Sequence, residues 1–238
     1  MVAYEKKRIL LIDDHPLTRK GLVDAIKATP DLMVCGEADG WHTGLRCIQE
    51  FCPDLVVLDL NLKDGNGWDL LKQLGLDADA PPILVLSVCN EEVYAVRLLK
   101  AGAKGYLMKD AAIDVVLDAI RKILNGHIAV SDTVASTLIQ TASMGTAHAV
   151  ADSEIGTLSD RELQVLEFLR QRLSNKEIAL RLHLSHKTVS TYKTRLMEKL
   201  GVRTSPDLIA KLVEHSCRGS ERFSKTSTQT ASQGGALP

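Results

Sequence analysis

Between residues 8 and 125 the chain alternates short apolar runs with longer stretches of helical periodicity. Arg8–Ile12, Leu32–Gly36, Leu55–Leu58, Ile83–Leu86 and Gly105–Met108 read as five strands. The first, third and fourth are almost continuously apolar, the pattern of strands buried on both faces of a parallel sheet. Between them, residues near 16–28, 41–51, 67–75, 92–102 and 111–125 carry helical spacing, and Pro16 suits a first helical turn. Five strand–helix repeats predict an α/β doubly wound, five-stranded parallel sheet over residues 8–125.

The pattern changes after residue 125. Residues 126–156 read as a linker, low in charge and rich in Ser, Thr, Ala and Gly, in which residues 131–140 could extend a helix. Beyond it the helical signals are closely spaced. Ser159-Asp160-Arg161-Glu162 and Ser174-Asn175-Lys176-Glu177 both fit the capping box, predicting helices near 160–172 and 175–182. A third helix starts after Ser185 and stops at Gly201, a suitable left-handed cap. A fourth runs from about 206 to 215. Residues 157–216 thus predict a small all-α, four-helix domain. Residues 217–238 are too poor in apolar side chains to pack and read as a disordered tail.

Composition narrows the class. With 45% hydrophobic residues the chain can bury real cores, yet its uncharged apolar runs fall far short of the roughly 20 residues a bilayer span needs. The N-terminus is charged and lacks a signal-peptide core. Five cysteines without metal or disulfide spacing read as reduced thiols, and the chain is expected to be cytoplasmic. The net charge of −1 hides an asymmetry. Residues 1–130 hold 15 Lys+Arg against 19 Asp+Glu, and residues 157–215 hold 11 against 7. The basic half points to nucleic acid as a partner.

The chemistry lies where the strands end, because a doubly wound sheet binds ligands at the carboxyl ends of its strands. The first strand runs into Asp13 and Asp14, the third into Asp59, the fourth into Ser87 and the fifth into Lys109. Taken singly, each residue also has an ordinary reading: helix N-cap, turn serine, surface lysine. Together they bring three carboxylates, a hydroxyl and an amine to one rim. Like charges a few ångströms apart repel by roughly 4 kcal/mol per pair at an effective dielectric near 20, so a cation is expected to join the carboxylates. Hard oxygen donors favour magnesium. These are the parts that phosphoryl transfer to a carboxylate requires. His15 reads as a loop residue, and none of the seven histidines shows metal-cluster spacing.

Ile12-Asp13-Asp14-His15-Pro16, Val57-Leu58-Asp59-Leu60, Leu86-Ser87 and the run Gly102–Lys109 resemble the receiver domain of two-component response regulators. The resemblance covers residues 8–125. It implies that Asp59 is the phosphoacceptor and that Asp13, Asp14, Asp59 and the backbone carbonyl of Asn61 hold Mg2+. It further implies that Lys109 contacts the phosphoryl group, that Ser87 bonds to it, and that Tyr106 swings inward as Ser87 moves. Two positions depart from the family pattern. Lys63 stands where a proline is common, and Asp110 where many receivers have one, the latter change being frequent in receivers joined to the DNA-binding domain described next.

The helix after Ser185 places Val189, Leu196 and Leu200 on one stripe and Lys187, Ser190, Thr191, Thr194 and Arg195 on the other face. Small hydroxyls suit base edges and cations suit phosphates. Leu158-Ser159, Arg161-Glu162, Ser174–Ala179, Leu184-Ser185, Lys187-Thr188-Val189 and Lys199–Val202 resemble a LuxR-type helix-turn-helix domain. That resemblance implies DNA contacts from Asn175, Lys176, Lys187, Thr188, Ser190, Thr191, Lys193, Thr194 and Arg195, with Ser190, Thr191 and Thr194 on bases. Leu208, Ile209, Leu212 and Val213 suit either the domain core or a dimer face.

A receiver joined to this domain is similar to the NarL/FixJ type of transcription regulator. The resemblance implies a phosphorelay in which a sensor histidine kinase phosphorylates Asp59. It also implies a homodimer when phosphorylated or DNA-bound, promoter DNA as ligand and RNA polymerase as a further partner. No turnover enzyme is expected beyond slow self-dephosphorylation. Two rivals stay open from sequence: an aspartate-nucleophile phosphatase, which needs an acid where Asn61 stands, and a receiver serving only to dimerise.

Overall fold

A computed structural model describes residues 5–89, 91–143, 157–204, 206–208 and 210–211. The chain divides into two compact units, a sheet unit and a helical unit that begins at Thr157. The sheet contains β1 (Lys7–Ile12), β2 (Leu32–Ala38), β3 (Leu55–Leu58), β4 (Ile83–Ser87) and β5 (Gly105–Met108), in the spatial order β2-β1-β3-β4-β5. All neighbouring pairs are parallel. Helices α1 (Pro16–Lys27), α2 (Trp41–Phe51), α3 (Gly67–Leu74), α4 (Glu91–Lys100) and α5 (Ile113–Leu124) alternate with the strands. This is the predicted doubly wound sheet, with most element ends within two residues of those read from sequence.

The pleat explains the continuous apolar runs. Ile9 and Leu11 of β1, Leu55 and Val57 of β3, and Leu84 and Leu86 of β4 share one core with Leu22, Val23 and Ile26 of α1 and Val116, Ile120 and Ile123 of α5. Their alternates Leu10, Ile12, Val56, Leu58 and Val85 are equally buried, on the opposite face. Each fully buried aliphatic side chain contributes about 1.5–3 kcal/mol of transfer free energy, so a strand covered on both sides gains from every residue. At Gly44 of α2 an added Cβ would lie 2.8 Å from Ile12 Cδ1, so the second layer sits directly on β1.

Beyond α5 the chain turns back along the sheet. The Tyr106 N–H donates to the carbonyl of Ala129 (2.9 Å), and the Ala129 N–H donates to the carbonyl of Lys104 (3.0 Å), which covers the open edge of β5. Helix α6 (Asp132–Ser143) follows and packs on α4, with Val134 buried and the Ser131 hydroxyl 2.9 Å from Glu91 Oε1. The helix expected over residues 131–140 is present as α6.

From Thr157 onward the chain forms α7 (Asp160–Arg170), α8 (Asn175–Arg181) and α9 (His186–Lys199). Both predicted capping boxes form. Ser159 and Glu162 exchange bonds of 3.3 and 2.7 Å, and Ser174 and Glu177 exchange bonds of 3.3 and 2.8 Å. Glu162 is buried and also meets Lys199 Nζ at 2.8 Å, joining the start of α7 to the end of α9. Although burial opposes ionisation, Lys199 and Ser159 hold this carboxyl below its ordinary value. At the end of α9, Gly201 has φ +63° and the Val202 N–H reaches the carbonyl of Met197 (3.0 Å), the left-handed stop predicted from sequence. Residues 206–208 and 210–211 are helical, and Leu208 is buried. Ile209, Leu212 and Val213, the rest of the linker and the tail lie outside the described residues, as does Cys217; Cys35, Cys47, Cys52 and Cys89 are free thiols.

Candidate functional site

The chain leaves β1 toward β2 on one side and later returns to place β3 on the other side. The reversal opens a crevice between the carboxyl ends of β1 and β3. Backbone bonds fix that rim: Asp59 N–H to Ile12 O (2.8 Å), Asp13 N–H to Ala38 O (3.0 Å) and Lys109 N–H to Ser87 O (2.9 Å). The side chains that follow meet there. Lys109 Nζ lies 2.7 Å from Asp59 Oδ2 and 2.8 Å from Asp13 Oδ2, although these residues come from three strands. Asp13 also accepts the His15 N–H at 2.7 Å, so it shapes the turn into α1 as well as lining the pocket.

Asp59 is 1% exposed, and its Oδ1 has no hydrogen-bond partner. Burial pushes its carboxyl up to about 6, against the pull of the Lys109 ammonium, while Asp13 adds to the rise. Burial likewise raises Asp14, whose Oδ1 is also buried without a hydrogen bond. Buried carboxylate oxygens left without donors in a cluster of three acids are suited to a hard divalent cation. Asp13, Asp14 and Asp59, joined by His15, place ligand atoms within 4.8 Å of one another. The residues fit a magnesium site. His15 lies in the loop before α1, as expected, with its Nδ1 at the mouth of the crevice, 3.4 Å from Asp59 Oδ2 and 3.2 Å from Lys109 Nζ.

The loop after Asp59 carries Asn61, buried in a two-residue ladder that pairs Asn61–Leu62 with Gly65–Asn66. Gly67 is required behind the site, because a Cβ there would overlap the carbonyl oxygen of Asp59. With no proline at position 63, other bonds hold this loop. Asp64 accepts the N–H groups of Trp41 (2.5 Å) and His42 (3.3 Å), capping α2 from a distant segment, while Lys63 Nζ lies 3.4 Å from Asp39 Oδ2. Sequence reasoning missed Asp64, and also Arg19, which bonds the carbonyl of Asp13 (2.5 Å) and Glu37 (3.1 Å). Arg19 faces the site from the second turn of α1, but its type alone gave no signal.

Ser87 is fully buried at the end of β4, and its Oγ accepts the Cys89 N–H at 3.2 Å. Tyr106 does not wait outside. It is fully buried, and its hydroxyl donates to the Cys89 carbonyl at 2.6 Å. The inward position expected only after Ser87 moves is the one this structure shows.

In the helical unit, Val189, Leu196 and Leu200 are buried as the stripe predicted. Lys187, Thr191, Thr194 and Arg195 are exposed on the far side of α9; Thr188, Ser190 and Lys193 are half-buried. The hydroxyls of Thr191 and Thr194 donate back to the carbonyls of Lys187 (3.0 Å) and Ser190 (3.1 Å), which leaves their oxygen lone pairs facing outward. Asn175 Nδ2 reaches Ser190 Oγ at 3.3 Å, fixing the first turn of α8 to α9, and Lys176 is exposed beside it. The helix thus has one packed apolar face and one polar face that is largely exposed.

Comparison with known proteins points the same way. Residues 9–121 match the family described as response regulator receiver domain, and residues 156–212 match the luxR family of bacterial regulatory proteins. The nitrate/nitrite response regulator protein NarL of Escherichia coli K12 is 35% identical over 200 residues, covering 84% of this chain and 92% of NarL. Response regulator GacA of Pseudomonas aeruginosa is 31% identical over 208 residues, covering 87% and 96%. Among solved structures, RcsB of Salmonella enterica serovar Typhimurium, bound to the promoter P1flhDC with the phosphomimetic BeF3-, shares the fold. Its TM-score is 0.66 at 23% identity, covering 87% of this chain and 98% of RcsB.

Proposed function

The chain belongs to the two-component response regulators that join a receiver domain to a LuxR-type DNA-binding domain, and on that premise we propose that Asp59 is its phosphoacceptor. The observation that carries this reading is the buried Asp59 carboxylate, with one oxygen held by Lys109 at 2.7 Å and the other without a partner. The free oxygen attacks the phosphorus of a phosphohistidine or small acyl phosphate. The bond to the donor's imidazole nitrogen or carboxylate oxygen breaks, and an acyl phosphate forms on Asp59. Asp13, Asp14, Asp59 and the Asn61 carbonyl would hold a magnesium ion, which when bound would supply positive charge against the transferred group. Lys109 offsets the remaining negative charge. The Ser87 hydroxyl turns from Cys89 toward the new phosphoryl oxygens, and Tyr106 keeps the Cys89 segment in the position that follows.

The donor is a sensor histidine kinase, and the output is altered promoter binding by α9. Ser190, Thr191 and Thr194 read bases, while Asn175, Lys176, Lys187, Thr188, Lys193 and Arg195 hold phosphates. Domain limits of 8–125 and 157–216 accommodate both activities, with a homodimer as the DNA-bound form and RNA polymerase as a further contact. The acyl phosphate decays slowly in a cytoplasmic protein that turns over no other substrate. Among the described residues no helix is long and apolar enough to cross a membrane.

The test uses a radiolabelled small phosphodonor with Mg2+, on the protein and on Asp59→Asn. Labelling of the parent, none of the variant, and a rise in promoter affinity on labelling are expected. Equal labelling of the variant removes the assignment, and unchanged promoter affinity removes the coupling.

A further inference from the structure

Asp13 and Asp14 stand on one short turn between β1 and α1, and Arg19 reaches back to it from the second turn of α1. Its Nη1 donates to the Asp13 carbonyl at 2.5 Å, and its Nε donates to Glu37 Oε2 at 3.1 Å. The Asp13 N–H meanwhile donates to the carbonyl of Ala38 at 3.0 Å. Glu37 and Ala38 are neighbours at the end of β2, registered with Leu11 and Ile12 of β1. The residue that opens the acid pair is thus tied to β2 twice, once by its own backbone and once through a guanidinium. The Arg19 side chain is 19% exposed, and a charged donor largely withdrawn from water binds a carbonyl more strongly than one in solvent. The Asp13 carbonyl belongs to the rigid peptide plane from which Asp14 extends, so holding that oxygen also sets the direction in which the Asp14 carboxyl leaves the chain. Asp14 Oδ1 has no hydrogen-bond partner, and the ring it meets at ion-pair distance, His15 at 2.7 Å, is half exposed. The backbone is its firmer support.

We propose that Arg19 is a positioning residue of the cation site: by bridging the Asp13 carbonyl to Glu37 it holds the Asp13 and Asp14 carboxyls at the separation that magnesium needs. The inference rests on the reading of the pocket as a divalent-cation site. Mg2+ demands near-ideal octahedral geometry at about 2.1 Å, whereas Ca2+ accepts roughly six to eight oxygens at about 2.3–2.6 Å. Loosening the acid turn therefore penalises Mg2+ more than Ca2+. The arginine fork suits the task, because its separate N–H groups engage carbonyl and carboxylate at once; a lysine ammonium is a compact charge on a flexible stem. The sign of the effect separates positioning from charge. A guanidinium near a cation site repels the ion, so charge alone makes removal of Arg19 tighten Mg2+, whereas lost positioning makes it weaken.

Mg2+ and Ca2+ alone are titrated calorimetrically into the full-length protein and into Arg19→Ala, Arg19→Lys, Glu37→Ala and Asp59→Asn, each melted first to confirm folding. Arg19→Ala is expected to weaken Mg2+ by about 10–100-fold, the loss usual for groups that orient metal ligands. Ca2+ should weaken by less than about 3-fold, because its shell tolerates the displacement. Arg19→Lys, which keeps the charge and can make one of the two bonds, should recover part of the Mg2+ loss. Glu37→Ala should show the same ordering of the cations with smaller losses, which carries the comparison if Arg19→Ala does not fold. In EDTA, amide exchange at His15, whose N–H bonds Asp13, should speed up by at least about 10-fold in Arg19→Ala while β3 and β4 keep their protection. Tighter Mg2+ in Arg19→Ala, equal losses for both cations, or unmoved exchange at His15 would each overturn the proposal. Retention of both cations by Asp59→Asn would instead sink the pocket reading itself, whatever Arg19 does.

Discussion

A buried carboxylate whose proton is held too tightly makes a definite statement about stability. Asp59 is raised from an ordinary 3.8 to about 6, mainly by burial. Between those values the folded protein keeps a proton that the unfolded chain has released, so this group's contribution to stability falls as pH rises through the window. Each pK unit corresponds to 1.36 kcal/mol, so the loss totals about 3 kcal/mol and is complete above pH ~7. Asp59→Asn removes the titration while preserving shape. In EDTA, urea unfolding of the parent and the variant should therefore diverge from pH 4 to 7, the variant gaining up to about 3 kcal/mol, with a flat difference beyond. Taking the difference cancels the shared groups that do not interact with Asp59, and leaves Asp59 with its partners Lys109 and Asp13. Mg2+ then closes the gap from the other side: at 100 times its Kd it stabilises the parent by about 2.7 kcal/mol and leaves the variant unmoved. A difference that stays constant across the window, or grows in the parent's favour, would refute the account of why the acids sit together.

Three further outcomes follow from other parts of the molecule. Thr191→Ala should relax selectivity at one base position by about 1–3 kcal/mol, whereas Lys187→Ala should weaken all sequences alike and lower the salt slope by about one; binding-site selection and salt titration separate the two. Glu162→Ala removes both the acceptor of the Ser159 N–H and the partner of Lys199. It should destabilise the helical unit by about 1–3 kcal/mol in urea at neutral pH, an effect that shrinks as pH falls through the lowered Glu162 value. Asp64→Ala should cost about 1 kcal/mol, the usual worth of a helix cap, with the exchange protection lost locally at the Trp41 and His42 amides.

The strands β1, β3 and β4 were readable because their apolar runs had to be buried on both faces, and the helices because their caps are local. Ser159 with Glu162, Ser174 with Glu177, and Gly201 all act within a few residues of themselves, and all behave as the sequence indicates. The acids and Lys109 were readable for a topological reason: once the strands are parallel, their carboxyl ends share one rim. What sequence did not reveal depends on partners far away along the chain. Asp64 caps a helix 23 residues earlier, and nothing in the run around it marks a cap. His15 followed the acids in the obvious place, yet whether its ring turned to solvent or to the pocket depended on the rotamer chosen against Lys109, 94 residues away.

Tyr106 shows how the same limit bears on signalling. Its type and position were legible, but its state was not, because that depends on a bond to the Cys89 carbonyl and on the pairing of its backbone with Ala129. The strand residue is thereby tied at one end to the segment that follows Ser87 and at the other to the chain that leads into α6. Glu91, at the start of α4, meets Ser131, just before α6. A displacement of the Ser87–Cys89 segment must therefore either carry the Tyr106 side chain with it or break a buried bond of 2.6 Å. Breaking a buried hydrogen bond costs about 1–3 kcal/mol, the size of a typical coupling free energy between sites. Tyr106→Phe cuts that tie without emptying the cavity, and it is expected to weaken by a similar amount any gain in promoter affinity on phosphorylation that depends on it; promoter binding by the variant with and without a phosphodonor measures this, and an unchanged gain would refute the link.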